Sequence, residues 1–480
     1  MIRTRFAPSP TGYMHIGNLR TALYAYCIAR HAGGKFLLRL EDTDRKRNNP
    51  KAVQVIFDSL RLAGLEHDEG PDIGGPCGPY VQSERKEQGL YRQYAEELVA
   101  SGQAYRCFCA AQAQAGTDAA AADSLNRARR NPCRNLTAAQ IEENLQKGWA
   151  FVIRQRIPDD GATTFHDLVF GDIAIKNSQL DEQILLKSDG FPTYNFANVV
   201  DDHLMEITHV ARGVEYLSST PKYNLLYQAF GWEIPNYIHL PLIVKPSGEK
   251  LSKRKGDASF QDLIARGYLP EAILNYIALL GWSPGDNREL FRLPELVQQF
   301  EISRINKSRA AFTIEKLDWL NGEYIRALTA EEFHQRALPF IPARFRKALD
   351  TRQVCKVIQT RVNRLGEIPQ LIDFLLNPPE YSLELFNQPK SKSTFESSRL
   401  VLQAACQRLA KIKEWTEESV RLALVEFGSE AGLKTGTVMW PVRIALSGLQ
   451  STPGGATEIA AILGKRRSLR RLAAAVDQLG

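Results

Sequence analysis

Cysteine is scarce, seven in 480 residues, which makes no disulfide framework for a chain of this length. No apolar run approaches the ~20 residues a membrane helix needs. Nor does the start carry a charged, apolar, small-residue leader, so a cytoplasmic chain with no membrane partner is expected. Excess charge of one sign is small: Lys plus Arg number 61 and Asp plus Glu 54, a formal +7. That permits a nucleic-acid partner without requiring one. Both familiar glycine fingerprints, the dinucleotide pattern and the P-loop, are missing, and no internal repeat is visible. What remains is a composition 44% hydrophobic and 24% charged, over a length that suggests two to four domains.

The opening stretch, Thr4-Arg5-Phe6-Ala7-Pro8-Ser9-Pro10-Thr11-Gly12-Tyr13-Met14-His15-Ile16-Gly17-Asn18, turns a short strand into a helix. Residues 2–6 form a brief stretch with no Gly or Pro that reads as a strand, while Leu19, Ala22, Leu23 and Tyr26 fall on one helix face. Between them two prolines stiffen the loop, and Gly12 and Gly17 permit backbone approaches that side chains forbid. The free N–H groups of the first helical turn would face an anion there. His15 adds a donor able to follow a phosphoryl oxygen as it gains charge. Taken alone, His-x-Gly is an ordinary loop.

A second stretch follows over two hundred residues later. Residues 238–244 read as a buried strand that runs into Lys245-Pro246-Ser247-Gly248-Glu249-Lys250-Leu251-Ser252-Lys253-Arg254-Lys255-Gly256-Asp257. This cationic loop sits at a strand's C-terminal end, where open α/β sheets bind ligands. Its plain alternative is a solvated turn. Between the two stretches, residues 35–40 read as a strand ending in Glu41-Asp42-Thr43-Asp44, and residues 51–64 and 83–101 as helices. Strands that alternate with helices indicate a parallel sheet.

Together, His15-Ile16-Gly17-Asn18 and Lys250-Leu251-Ser252-Lys253-Arg254 resemble the two signature motifs of class I aminoacyl-tRNA synthetases. The lead-in from Arg5 to Gly12 and the spacing are similar to the bacterial-type glutamyl-tRNA synthetases. Asn18 stands where that motif nominally has a second histidine. The resemblance implies an α/β fold: a Rossmann-like parallel-sheet catalytic domain, an inserted α+β acceptor-binding domain and an all-α anticodon-binding half. The expected boundaries are 1–101 and 191–245 for the catalytic domain, 102–190 for the insertion, 246–325 for the lysine loop and stem-contact helices, and 326–480 for the anticodon region.

The resemblance also implies the activity, ATP-driven formation of glutamyl-adenylate followed by transfer to the terminal ribose of tRNA(Glu), by a monomer. ATP is a substrate, with Mg2+. His15, Gly17, Lys250, Ser252 and Lys253 would hold the nucleotide, with His15, Lys250 and Lys253 acting in catalysis. Arg5, Ala7, Ser9, Glu41, Tyr194, Asn198 and Arg212 would form the glutamate pocket. Arginine's planar fork suits the two substrate carboxylates, and Tyr194 and Asn198 share a face if their stretch is helical. Two alternatives stay open: an enzyme that also charges tRNA(Gln), and an inactive tRNA-binding paralogue.

One feature departs from the family. Cys107, Cys109 and Cys133 match a zinc site that some relatives carry in the insertion, but the fourth position is Asn135. A structural zinc site wants four thiolate or imidazole ligands, so zinc stays open. Near the end, Lys465, Arg466, Arg467, Arg470 and Arg471 form a basic helix surface, either solvated or facing RNA backbone.

Overall fold

Strand β1 (Arg3–Phe6) pairs in parallel with β2 (Lys35–Leu38), and helix α1 (Ile16–His31) crosses between them. The apolar face expected at Leu19, Ala22 and Leu23 is buried against the sheet side, and Thr4 Oγ1 donates to the Ala25 carbonyl at 2.8 Å, tying strand to helix. In this computed structural model residues 1–43, 49–109, 111, 130–249, 251 and 259–480 are described.

A four-stranded sheet supplies the opposite wall of the site, in the order β6 (Gly171–Lys176), β5 (Ala162–Asp167), β9 (Asn236–Leu240), β8 (His209–Gly213). The β8–β9 and β5–β9 pairs are parallel and β5–β6 is antiparallel, so the sheet is mixed. The Thr208 N–H donates to the Arg3 carbonyl at 3.0 Å, which brings the start of β8 beside β1. Three antiparallel strands, β3 (Ala104–Cys107), β4 (Val152–Gln155) and β7 (Ile184–Leu186), form a separate small sheet.

Several boundaries differ from expectation for local reasons. The strand expected over 238–244 is two, β9 and β10 (Ile243–Val244), separated at Pro241, which has no N–H to give a ladder. The helix expected over 83–101 is also two, Gln82–Glu87 and Leu90–Ala100, with Gly89 between them at φ 78°. The insertion does not simply interrupt the sheet, because its strand β5 pairs with β9 through Asp167 and Tyr237.

The chain divides into two compact units, residues 1–262 with 273–314, and residues 263–272 with 315–480. The second is helical. Its core gathers Phe333, Phe345, Ile358, Leu402, Leu424, Val442 and Leu472, among others, into one apolar cluster. Much of the basic run near the end is spent inside this unit. Lys465 Nζ donates to the Ile412 carbonyl, Arg467 Nη1 to that of Ala348, and the buried Arg471 to those of Phe374, Leu375 and Leu446. Only Arg466 and Arg470 of that set are exposed, and the helix turns at Gly464, at φ 75° and ψ 164°. Among the described residues no helix is long and apolar enough to cross a membrane.

Candidate active site

The loop between β1 and α1 takes the backbone form its composition suggests. Gly12 takes φ +139°, a conformation that side chains rarely adopt. His15 is the N-cap of α1, and its Nδ1 accepts the Gly17 N–H at 3.0 Å. A Cβ at Gly17 would lie 3.1 Å from that nitrogen, so glycine there lets the ring sit over the helix start. His15, Gly17, Asn18, Thr21, Gly213 and Glu215 join the ends of β9 and β10 around a cavity of about 380 Å3.

Both sides of the lysine loop are anchored at this cavity. Before it, β10 ends in a turn where the Lys245 N–H reaches the Glu249 carbonyl at 2.8 Å, and Leu251 lines the cavity. After it, Ser259 bridges to His15, the Phe260 N–H donates to the Met14 carbonyl, and Gln261 Oε1 accepts the Met14 N–H. Lys250, Ser252 and Lys253 themselves lie outside the described residues.

Of the residues expected around the amino acid, Glu41 and Arg212 act electrostatically on Tyr194 and so lie near it. Backbone bonds from Arg39 to Phe6 and from Glu41 to Pro8 extend the β1–β2 pairing past its named ends, which lays Ala7 and Ser9 along Leu40 and Glu41. Tyr194 and Asn198 lie on helix Tyr194–Leu204, as their spacing requires. Asn198 Nδ2 donates back to the Tyr194 carbonyl at 2.9 Å, and the Tyr194 ring packs 5.2 Å from that of Tyr216.

Arg5 takes up a different arrangement from the open fork expected of it. Its Nε and Nη2 donate to the two carboxylate oxygens of Asp202 at 3.0 and 3.2 Å, and Nη1 reaches the Ala211 carbonyl. Arg39, fully buried, donates to Asp202 Oδ1 at 2.7 Å and to Glu41 Oε1 at 3.0 Å. Asp201 receives Gln82 and Tyr91 and pairs with Arg85 Nε at 2.8 Å. Burial works against ionisation of Asp202, but Arg5 and Arg39 hold its carboxyl below the usual range. For Glu41 burial wins over Arg39 and Arg5, and its carboxyl is pushed up to about 7. Arg39, Arg85, Asp201 and Asp202 were not legible as site residues, although one signal was present: an arginine inside the apolar run 36–40 and an adjacent acidic pair on a mostly apolar helix.

Arg212 is buried like Arg5 and Glu41. It lies on β8 directly beside His239 of β9 in register, donating through Nε to His239 Nε2 at 3.1 Å and through Nη2 to Thr220 Oγ1 at 2.8 Å. The rings of Tyr216, Tyr223 and Tyr237 surround its guanidinium at 5.6, 4.6 and 5.2 Å. Its Nη1 is buried and has no hydrogen-bond partner among the described residues. A buried cationic donor left open is costly, and a carboxylate would satisfy it.

Cys107, Cys109 and Cys133 do come together, buried, with their sulfurs within 4.8 Å of one another. The fourth place is not taken by Asn135, which is exposed. Asn131 enters the cluster instead, its Oδ1 3.6 and 3.5 Å from the sulfurs of Cys107 and Cys109 while also accepting the Cys133 N–H at 2.9 Å. Among the described residues no fourth thiolate or imidazole is present. The donor set therefore does not complete a structural zinc tetrahedron.

Comparison with known proteins shows the family and the fold. Residues 1–319 match the family model described as tRNA synthetases class I (E and Q), catalytic domain, and residues 332–476 match an anticodon binding domain. The chain is 52% identical over 480 residues to a glutamate–tRNA ligase of Clostridium botulinum, and 53% identical to that of Clostridium tetani. In both, all of this chain and 98% of the relative are covered. Among solved structures it resembles a glutamate tRNA ligase from Elizabethkingia meningosepticum in complex with its amino acid, at a TM-score of 0.86 and 32% identity with both chains fully covered.

Proposed function

Since the chain belongs to the glutamate–tRNA ligases of the class I tRNA synthetase family, we propose how its own residues carry that reaction. The observation that carries the assignment is the open Nη1 of Arg212 inside its tyrosine cage. Arg212 takes the carboxylate of glutamate that does not react, with the planar fork that lysine cannot supply. Glu41 meets the ammonium group. Tyr194 and Asn198 line the same pocket, with Ala7 and Ser9 along its edge, and Arg5 contributes positive potential from its pair with Asp202.

ATP occupies the cavity at His15 and Gly17, its phosphates at the start of α1. The reacting carboxylate of glutamate attacks the α-phosphorus; an O–P bond forms, the bond to the β-phosphate bridging oxygen breaks, and pyrophosphate leaves. Such a transfer is mostly positioning and charge stabilisation. His15 donates toward the growing charge on the α-phosphoryl oxygens, and Lys250, Lys253 and the lesser donor Ser252 cover the leaving phosphates. Mg2+ would enter with ATP and neutralise phosphate charge. In the second step a hydroxyl of the terminal tRNA ribose attacks the glutamyl carbonyl, and AMP leaves. No zinc is assigned, because among the described residues the thiol cluster has no fourth thiolate or imidazole.

Glutamate-dependent charging of transcribed tRNA, compared between tRNA(Glu) and tRNA(Gln), tests this reading. Charging of tRNA(Glu) alone marks a discriminating enzyme and charging of both a non-discriminating one. With Lys253→Ala, charging is expected to fall at least ~10²-fold at an unchanged fold. Arg212→Ala is expected to raise the KM for glutamate by ~10²-fold with the KM for ATP little changed. Full activity in both variants would overturn the assignment.

A further inference from the structure

Arg212 is held by a side-chain chain that no motif announces. Behind its Nε stands His239, fully buried, whose Nδ1 lies 2.6 Å from Asp167 Oδ2. Asp167 is fully buried as well, and its other oxygen accepts the backbone N–H groups of Val169 and Phe170 at 2.9 and 2.8 Å. Oδ2 also accepts the His239 N–H at 3.2 Å. With four donors directed at it, Asp167 is an ionised acceptor, and burial is offset so that its carboxyl stays below the usual range.

The proton positions along this chain follow from the two ends. An arginine Nε only donates, and an ionised carboxylate only accepts. The imidazole between them must therefore carry its proton on Nδ1, toward Asp167, and present the bare lone pair of Nε2 to Arg212. Burial lowers the pKa of His239 despite Asp167 beside it, in keeping with a neutral ring. Thr220 supplies the second prop, accepting Arg212 Nη2 while donating to the Tyr216 carbonyl at 3.0 Å. Two of the three guanidinium nitrogens are thus fixed by acceptors, which leaves Nη1 as the nitrogen presented to a ligand.

We infer that Asp167 and His239 are positioning residues for glutamate recognition: Asp167 sets the His239 tautomer, and His239 then aims the Arg212 fork at the substrate carboxylate. The inference rests on the proposal that Arg212 binds that carboxylate. It assigns a part in amino-acid selection to a residue of the inserted segment, since Asp167 closes β5 and is the residue through which β5 pairs with β9. Neither residue touches substrate; each acts through Arg212. Because the carboxylate is gripped in ground and transition states alike, disturbing the aim appears in KM more than in kcat.

The test is pyrophosphate exchange kinetics on the full chain with tRNA present. Asp167→Asn keeps shape and an acceptor for Val169 and Phe170, but turns an amide N–H toward His239 and moves the ring proton to Nε2, against Arg212, by the same tautomer logic that governs a Ser-His-Asp triad. The expected result is a rise of ~10-fold or more in glutamate KM, an ATP KM within ~2-fold of the parent, and a folded chain by circular dichroism, with some loss of stability because the His239 N–H loses its acceptor. His239→Leu should do the same, and His239→Gln, whose terminal oxygen replaces Nε2, should restore KM to within ~3-fold. Nitrogen-15 histidine spectra should show the Nδ1–H form of His239 in the parent and Nε2–H in Asp167→Asn. If Arg212→Ala raises glutamate KM but Asp167→Asn and His239→Leu leave it unchanged, this inference fails and the carboxylate assignment stands. If Arg212→Ala leaves it unchanged, the underlying assignment fails.

Discussion

Around β1 and β2 the first unit buries Arg5, Arg39 and Arg85 against Glu41, Asp201 and Asp202, whereas the helical unit buries a single arginine, Arg471, with backbone carbonyls as its partners. The contrast separates two uses of an interior. Buried ion pairs cost about as much in desolvation as they return in attraction, so they are a poor means of stabilising a core. Beside the glutamate pocket we propose, they do something apolar packing cannot: they hold fixed charges in fixed directions. The helical unit has no such demand on the cluster around Leu402 and Phe333, and apolar burial suffices there. Arg471 is the exception that shows the cost, since burial together with Arg470 and Arg467 draws its pKa down to about 10.

The largest effect is expected where the ionic interior is left with an uncompensated charge. Asp202→Ala strips Arg5 and Arg39 of their shared carboxylate and should cost about 3–5 kcal/mol in denaturant unfolding. A loss below about 1 kcal/mol would mean that water or a neighbouring carboxylate takes its place, and would erase the contrast. In the helical unit, Leu402→Ala should cost about 2–5 kcal/mol by the ordinary cavity route, with no effect on glutamate KM.

A sharper comparison uses pH. Glu41, with its carboxyl near 7 in the folded protein against 4.5 unfolded, stabilises the ligand-free fold while protonated. That contribution is fully present below the unfolded value and is lost as pH rises through about 7; it amounts to at most about 3 kcal/mol. Glutamate's ammonium calls for the ionised form, so glutamate KM should rise as pH falls from about 8 to 6, and Glu41→Gln should flatten that dependence. The smallest effect is expected for Arg471→Met, about 1–2 kcal/mol in thermal or denaturant unfolding, because lost carbonyl contacts are partly offset by removal of a buried, unpaired cation.

Legibility differed along the same division. The form of the loop at His15 was readable because Gly12, Gly17 and the prolines announce backbone form in the sequence itself. The proposed glutamate pocket was reached only residue by residue through resemblance, and within it Arg5 was expected as an open fork, while the structure closes it on Asp202. The basic run at the end divides: Arg466 and Arg470 are exposed, while Lys465, Arg467 and Arg471 meet carbonyls inside the bundle, and the two kinds look the same in sequence.

By itself the sequence determined the family, the order of strand, seat and helix, and the residue types available for chemistry, because these depend on local spacing and on motifs that chance seldom assembles. Only the tertiary structure decided who pairs with whom. Asp167, Arg212 and His239 come from three strands and meet because parallel register sets residue 212 beside residue 239 and the end of β5 beside β9. A side chain's partner, and with it its proton and its direction, belongs to that register, which no single stretch of sequence contains.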